Sequence, residues 1–346
     1  NLQTDALAGT ARRDDDGFDL LKSEKNLREH ELVVSSIQDQ LKSEGLIYNG
    51  TLKQPKGKKI EGWESRSQTL FRATNFGDDV DRPLKKSDGS WTYFANDIAY
   101  HYDKYQRGFK FMINILGADH GGYVQRMVAA TEAVSNGEAS LQVKLCQIVH
   151  LKRGGVPVRM SKRSGNFVTM RELIDQVGKD VVRFIMLTRK NDTQMDFDIE
   201  GVLDQTRENP VFYVQYAHAR CYSVLKNALD YFSAEELSVG ALGNANFMLL
   251  DSLHELELIK VMTIWPRLVV NAAKAHEPHR IAIFLNELAT AFHSLWNKGN
   301  ENTHLRFICE DNKELSLARL ALVQSVAITI ASALQVAGVE PLEELR

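Results

Sequence analysis

The sequence predicts an α/β part followed by an all-α part. Residues 109–151 hold two apolar, strand-like runs with a glycine turn and a helical segment between them. That is the order of a parallel βαβ unit. Beyond about residue 205 every apolar pattern has helical spacing, as in a helical bundle. The composition, 44% hydrophobic and 25% charged over 346 residues, is that of an ordinary globular chain with room for two or three domains.

The same arithmetic excludes low-complexity disorder, collagen and small disulfide scaffolds. No apolar run approaches the roughly 20 residues of a membrane helix, so no membrane partner is expected. Net charge is −3, from 42 basic and 45 acidic residues, which argues against binding nucleic acid by bulk charge. Cys146, Cys221 and Cys309 are far apart, with no C-x-x-C or Cys/His cluster, so no metal site is expected. Sparse cysteines suit a reducing compartment. The chain starts at Asn1 without Met or a signal peptide, as an interior point of a longer chain would.

The elements follow in order. Residues 1–19 are polar and poorly patterned, a loop or edge. Leu32, Val33, Ile37 and Leu41 share one helical face, and Gly45 is a C-terminal stop. Residues 46–90 are rich in Gly, Pro and Lys and suit turns and short strands. A helix is expected over 91–105, a buried strand over 109–117, a helix over 123–135 and a strand over 141–151. Helices are then expected over 209–229, 247–262, 279–297 and 315–337.

The most informative segment is the loop around 152–166. Residues 150–171 carry Lys152, Arg153, Arg159, Lys162, Arg163 and Arg171 and no carboxylate. A basic loop containing Gly and Ser can close over a polyphosphate and stabilise developing negative charge. A solvated basic surface is the plainer alternative, against which the ordered string Met160-Ser161-Lys162 weighs.

Arg159-Met160-Ser161-Lys162 resembles the K-M-S-K-S loop of class I aminoacyl-tRNA synthetases. The chain more narrowly resembles the bacterial arginyl-tRNA synthetase family. The resemblance also rests on Phe76-Gly77-Asp78-Asp79, Lys86-Ser87-Asp88-Gly89, Thr92-Tyr93-Phe94-Ala95, Asp97-Ile98-Ala99-Tyr100-His101, Gly117-Ala118-Asp119-His120 and Met195-Asp196-Phe197-Asp198, then on residues 208–220, in that family's order. Two departures stand out. Arg159 occupies a position where the class often has Lys, a planar fork in place of a point charge. The class's H-I-G-H string is absent from these residues.

The resemblance implies part of a Rossmann-like class I catalytic domain with its insertion, then a helical anticodon-binding bundle. Residues 1–90 would be the insertion and 91–150 the second half of the Rossmann-like fold. Residues 151–205 would be the loop and connecting region, and 206–346 the bundle. It implies an arginine–tRNA ligase using ATP, with Mg²⁺ accompanying the ATP without a protein cage. The partners would be arginine, ATP and the arginine-accepting tRNA, with no DNA, for a cytoplasmic monomer. This chain would be a fragment of that enzyme, inactive alone. The alternatives are a non-catalytic tRNA-binding fragment or a synthetase-like paralogue.

Site residues follow from the same resemblance. Lys162, Ser161, Met160 and Arg159 would form the catalytic loop, with Lys162 neutralising pyrophosphate as it leaves. Tyr93 and Asp97, four apart and so on one helical face, would hold the substrate guanidinium, with Gln125 nearby. A surface Asp and a core Tyr are the alternative. Gly117, Asp119 and His120 would meet ATP, or form a strand-ending turn in which Asp119 caps the next helix. Tyr213, Tyr216, Arg220 and Trp296 are tRNA candidates, with packing the default for Tyr213, Tyr216, Trp265 and Trp296. The bundle's acidic balance, 12 basic against 16 acidic residues over 206–346, favours stacking over charge.

Overall fold

The computed structural model describes residues 38–39, 41–52, 66–158, 168–204, 206 and 208–345. The expected loop over 1–19, most of the expected helix ending at Gly45, and Arg159, Met160, Ser161 and Lys162 lie outside them. The chain divides into two compact units, residues 1–146 and 147–346.

In the first unit, strands β1 (Ile47–Gly50), β2 (Gln68–Phe71) and β3 (Arg82–Pro83) form a small antiparallel sheet. Gly45 precedes it in the left-handed region, φ +69°, where glycine carries no Cβ penalty. Helix α1 (Tyr93–Gln106) starts at Thr92, whose hydroxyl accepts from the Ala95 amide at 3.3 Å. Strand β4 (Phe111–Gly117) leads through a 3₁₀ turn (Ala118–Tyr123) into α2 (Val124–Val134), and β5 (Ser140–Cys146) returns parallel to β4. This is the expected βαβ unit. Its core joins Ile98 and Ala99 of α1 with Met112, Met127, Ala130 and Leu141.

The sequence reading is corrected in two places here. Strand β4 is not buried on both faces. Met112 faces the core, while Phe111, Ile113 and Ile115 on the alternate face are 52%, 42% and 72% exposed. Side chains alternate across a strand, and the helices described in this unit pack on one side of the sheet. The strand expected over 141–151 is also two strands. It breaks at Gln147–Ile148, and the second piece pairs in another sheet of the second unit.

That sheet holds β6 (Val149–Arg153), with β7 (Val156–Pro157) antiparallel on one side and β8 (Met195–Asp198) parallel on the other. Between β7 and β8 lie α3 (Met170–Val177), opened by a Thr169/Glu172 capping box, and α4 (Lys179–Leu187). The bundle follows: α5 (Pro210–Ala228), α6 (Val239–Leu242), α7 (Leu253–Thr263), α8 (Trp265–Ala275), α9 (His279–Glu301) and α10 (Lys313–Ala337). One continuous core runs from Leu173, Phe184 and Phe197 through Val214, Phe284 and Phe292 to Val326 and Leu334.

Helix α10 corrects the expectation that no stretch is membrane-like. By length and composition this 25-residue helix, mean hydropathy 1.8 in its most apolar stretch, is long enough to cross a membrane. It packs instead against α5, α7 and α9 as an inner helix of the bundle. Its apolar residues face those neighbours, with Leu320, Val323, Val326, Ile330 and Leu334 fully buried.

Candidate functional site

Two places gather the residues singled out in the sequence. The first lies in the βαβ unit. Asp97 sits half-buried on α1, where the Tyr123 hydroxyl, from the turn before α2, donates to its Oδ2. One turn further, the buried His101 donates from Nδ1 to the Asp97 carbonyl at 2.7 Å. The carbonyl can only accept, so His101 carries its hydrogen on Nδ1 and its Nε2 accepts from Asn114 Nδ2 at 2.9 Å. Burial holds His101 below the ordinary histidine range, so the ring is neutral. Burial, then the bond to Asp97, pushes the Tyr123 hydroxyl well above the usual phenol value, so it stays a donor.

Asp97 is thus fixed by its side chain and, through His101, by its backbone. Asn114 ties it to β4, three residues before Gly117. Sequence reasoning missed Tyr123, His101 and Asn114. Only the His101 spacing, four after Asp97 on a helix, was a usable signal.

Tyr93 opens α1 and is 82% exposed, so it is not the core tyrosine of the alternative reading. Lys86 lies 5.7 Å over its ring. Gln125 is exposed in the first turn of α2, two residues beyond Tyr123. Behind Tyr123, Arg126 lies 5.1 Å over the ring, with a buried Nε that has no hydrogen-bond partner among the described residues. Asp78 clamps Arg82 through two 2.7 Å bonds and Asp79 accepts a third at 2.5 Å, so Phe76-Gly77-Asp78-Asp79 builds a local ion-pair cluster.

Gly117 ends β4, paired with Cys146. A Cβ there would come within 2.5 Å of Asp119 Oδ1, so Gly117 makes room for that carboxylate. Asp119 does not cap a helix: neither the 3₁₀ turn nor α2 has a side-chain cap. Its carboxylate is exposed, 3.7 Å from His120 Nε2. An exposed acceptor at the carboxyl end of a parallel strand fits the hydroxyls of a nucleoside ribose.

In the second unit, Asp198 closes β8 and accepts from the amides of Gly154 at 3.0 Å, Gly155 at 2.5 Å and Glu200 at 3.1 Å. These bonds, the one from Gly155 first, hold its carboxyl below the usual range. Met195-Asp196-Phe197-Asp198 therefore secures the β6–β7 turn that leads into the basic loop.

The other gathering is on the bundle. Asn209 caps α5 by accepting from the Val211 amide at 3.1 Å, and Pro210 takes the first helical position. On α5 the Arg220 guanidinium lies 4.2 Å over the Tyr216 ring and 4.6 Å over the Trp296 ring of α9. It also donates to the Tyr216 hydroxyl, and its Nη1 lies 3.0 Å from His293 Nδ1. Tyr216, Arg220 and Trp296 line one groove of about 620 Å³ with Tyr222 and Lys226. Tyr213 is set deeper, its ring 4.6 Å from His293. Trp265 packs on Phe284 at 5.2 Å and donates to Ser332, away from this groove.

The DALR anticodon binding domain family matches residues 214–345. A chorismate binding enzyme family matches residues 1–56, most of them outside the described residues. The arginine–tRNA ligase of Rhodospirillum rubrum is 60% identical over 314 residues, 90% of this chain and 53% of that protein. The arginine–tRNA ligase of Roseobacter denitrificans is 51% identical over 99% of this chain and 59% of its own length. The crystal structure of a candidate arginyl-tRNA synthetase from Campylobacter jejuni superimposes with a TM-score of 0.75 at 30% identity, covering 92% of this chain and 63% of that one.

Over nearly its whole length the chain is similar to arginyl-tRNA synthetases. It spans about half the length of the curated relatives it matches. Its α/β part is a portion of the Rossmann-like class I fold, and its helices form a bundle of the DALR type.

Proposed function

We propose that this chain carries the arginine pocket, one edge of the ATP site, the basic loop and the tRNA-binding bundle of an arginine–tRNA ligase. One observation supports the pocket most. Asp97 presents a half-buried carboxylate held by Tyr123 and by the His101–Asn114 pair, beside the exposed Tyr93. A guanidinium prefers a fixed, planar carboxylate partner. A neutral side chain would leave that carboxylate unpaired, so the pocket discriminates by charge.

The arginine carboxylate would attack the α-phosphate of ATP, forming arginyl-adenylate as the bond to pyrophosphate breaks. A terminal ribose hydroxyl of the tRNA then attacks the adenylate carbonyl and releases AMP. Neither step needs a protein nucleophile, so catalysis is positioning and charge stabilisation. Asp119 would accept from the ATP ribose. Lys162 would neutralise the departing pyrophosphate, with Arg159, Met160 and Ser161 shaping its loop. Mg²⁺ would arrive on the ATP phosphates. Tyr216, Arg220 and Trp296 would stack on tRNA bases. The proposed setting is a cytoplasmic monomer.

The exposed face of β4 favours a second reading for the chain by itself. A parallel sheet normally works with both faces covered. With Phe111, Ile113 and Ile115 bare, the chain alone would bind tRNA without ligation.

The test is arginine- and tRNA-dependent ATP–pyrophosphate exchange. The chain is assayed alone, then mixed with the part of the R. rubrum relative that it does not match. Exchange is expected in the mixture and little from the chain alone. Exchange that follows another amino acid, or that survives Asp97→Asn unchanged, would refute the pocket.

A further inference from the structure

The groove of Tyr216, Arg220 and Trp296 has an unexpected wall: the chain's own acidic tail. Gln215, His218, Tyr222 and Lys226 are three or four apart and form one stripe of α5. They meet the tail in order. Gln215 Nε2 donates to the Glu340 carbonyl at 3.5 Å, and His218 Nδ1 to the Leu342 carbonyl at 2.7 Å. Tyr222 hydrogen-bonds Glu343, and Lys226 Nζ lies 3.4 Å from Glu344 Oε1. Upstream, Arg183 Nε donates to the Ala337 carbonyl at 3.2 Å and Asp180 accepts the Glu340 amide at 3.1 Å.

The tail therefore runs along α5 with its backbone tied down at 340 and 342. Glu343, Glu344 and Leu345 line the same groove as Tyr216, Arg220 and Trp296. Glu344 pairs with Lys226, Glu343 meets Tyr222, and both line the groove together with the Arg220 cation. The inner end is fixed by buried His218, while the Lys226–Glu344 pair is 74% exposed on both sides. Exposed pairs of this kind are weak, so the Lys226–Glu344 contact can open while the backbone bonds at 340 and 342 stay.

We propose that Glu343 and Glu344 are a built-in competitor for RNA phosphate at this groove, displaced when RNA binds. This rests on the groove being the tRNA-binding face proposed above. The carboxylates would weaken binding of any polyanion and demand that stacking on Tyr216 and Trp296 supply the difference. RNA that only offers charge would be disfavoured.

The test measures binding of a fluorescein-labelled anticodon stem-loop of the arginine-accepting tRNA to the full chain. Four proteins are compared: wild type, Glu343→Gln/Glu344→Gln, Trp296→Ala, and the three changes combined. The double glutamine variant is expected to bind about three- to tenfold tighter at low salt. The gain should vanish near 1 M salt, where screening acts over about 3 Å. Unchanged or weaker binding by the double variant, with Trp296→Ala still weakening it, would overturn the competitor alone. If Trp296→Ala has no effect in either background, the groove is not the RNA face and the competitor falls with it.

Discussion

The hydroxyl of Tyr123 donates to the carboxylate of Asp97, joining the turn before α2 to the middle of α1 across 26 residues of sequence. The contact holds one oxygen of the Asp97 carboxylate. Tyr123→Phe removes the donor without opening a cavity. It should destabilise the first unit by about 1.5 kcal/mol, the range for a bond to a charged acceptor. Denaturant unfolding checks this. In the assembled enzyme, Asp97→Asn should raise the arginine KM by orders of magnitude, since neutralisation removes the ion pair. Equal KM values for Asp97→Asn and wild type would remove Asp97 from the pocket.

Lys162 lies outside the described residues, and its role rests on the loop string and the family. Lys162→Ala in the assembled enzyme should slow adenylate formation by about 10²–10³-fold, the usual loss for one charge-stabilising donor. Arginine binding should stay within a few-fold. Single-turnover kinetics separate the two. A large loss of arginine binding with normal chemistry would reverse the assignment.

Arg319 and Glu255 form a buried ion pair, 2.6 Å apart with side chains 5% and 1% exposed. Arg319 Nη1 also donates to the carbonyls of His304 at 2.7 Å and Arg306 at 2.8 Å. The pair thus pins the loop after α9 to α7 and α10. Glu255→Ala leaves an unpaired buried cation and should cost about 3–5 kcal/mol. Glu255→Leu/Arg319→Met should recover most of that loss in thermal unfolding. A double variant no more stable than the single would show that the bonds to His304 and Arg306 dominate.

Two histidines predict a pH dependence. His101 and His218 are both held below the ordinary value of 6.5, burial being the main cause. The Nε2 of His218 is buried without a partner among the described residues, so an added proton there finds no acceptor among them. The folded chain resists protonation at these rings, while the unfolded chain takes the proton near 6.5. Their stabilisation is complete above that value and is lost as pH falls from 6.5 through the folded values. The unfolding midpoint should therefore drop on going from about pH 7.5 to about pH 5. His218→Gln should flatten that slope. A slope identical to wild type would place the titration elsewhere.

The sequence by itself determined the local devices and the order of the chemistry. Thr92 starts α1, Asn209 and Pro210 start α5, and Gly117 ends β4. These signals act within four residues, so they are legible in a linear string. The ordered motifs carried the resemblance for the same reason: each is a short run of neighbouring residues. Tertiary structure alone decided what meets across distance. Register and helix packing put Tyr123 on Asp97, Arg220 beside His293 across 73 residues, and Leu342 on His218 across 124. They also split 141–151 between two sheets and left one side of β4 bare. An apolar residue or a carboxylate reads the same in sequence whether its face is covered or open. The covering comes from elements far away in the chain, and only their packing decides it.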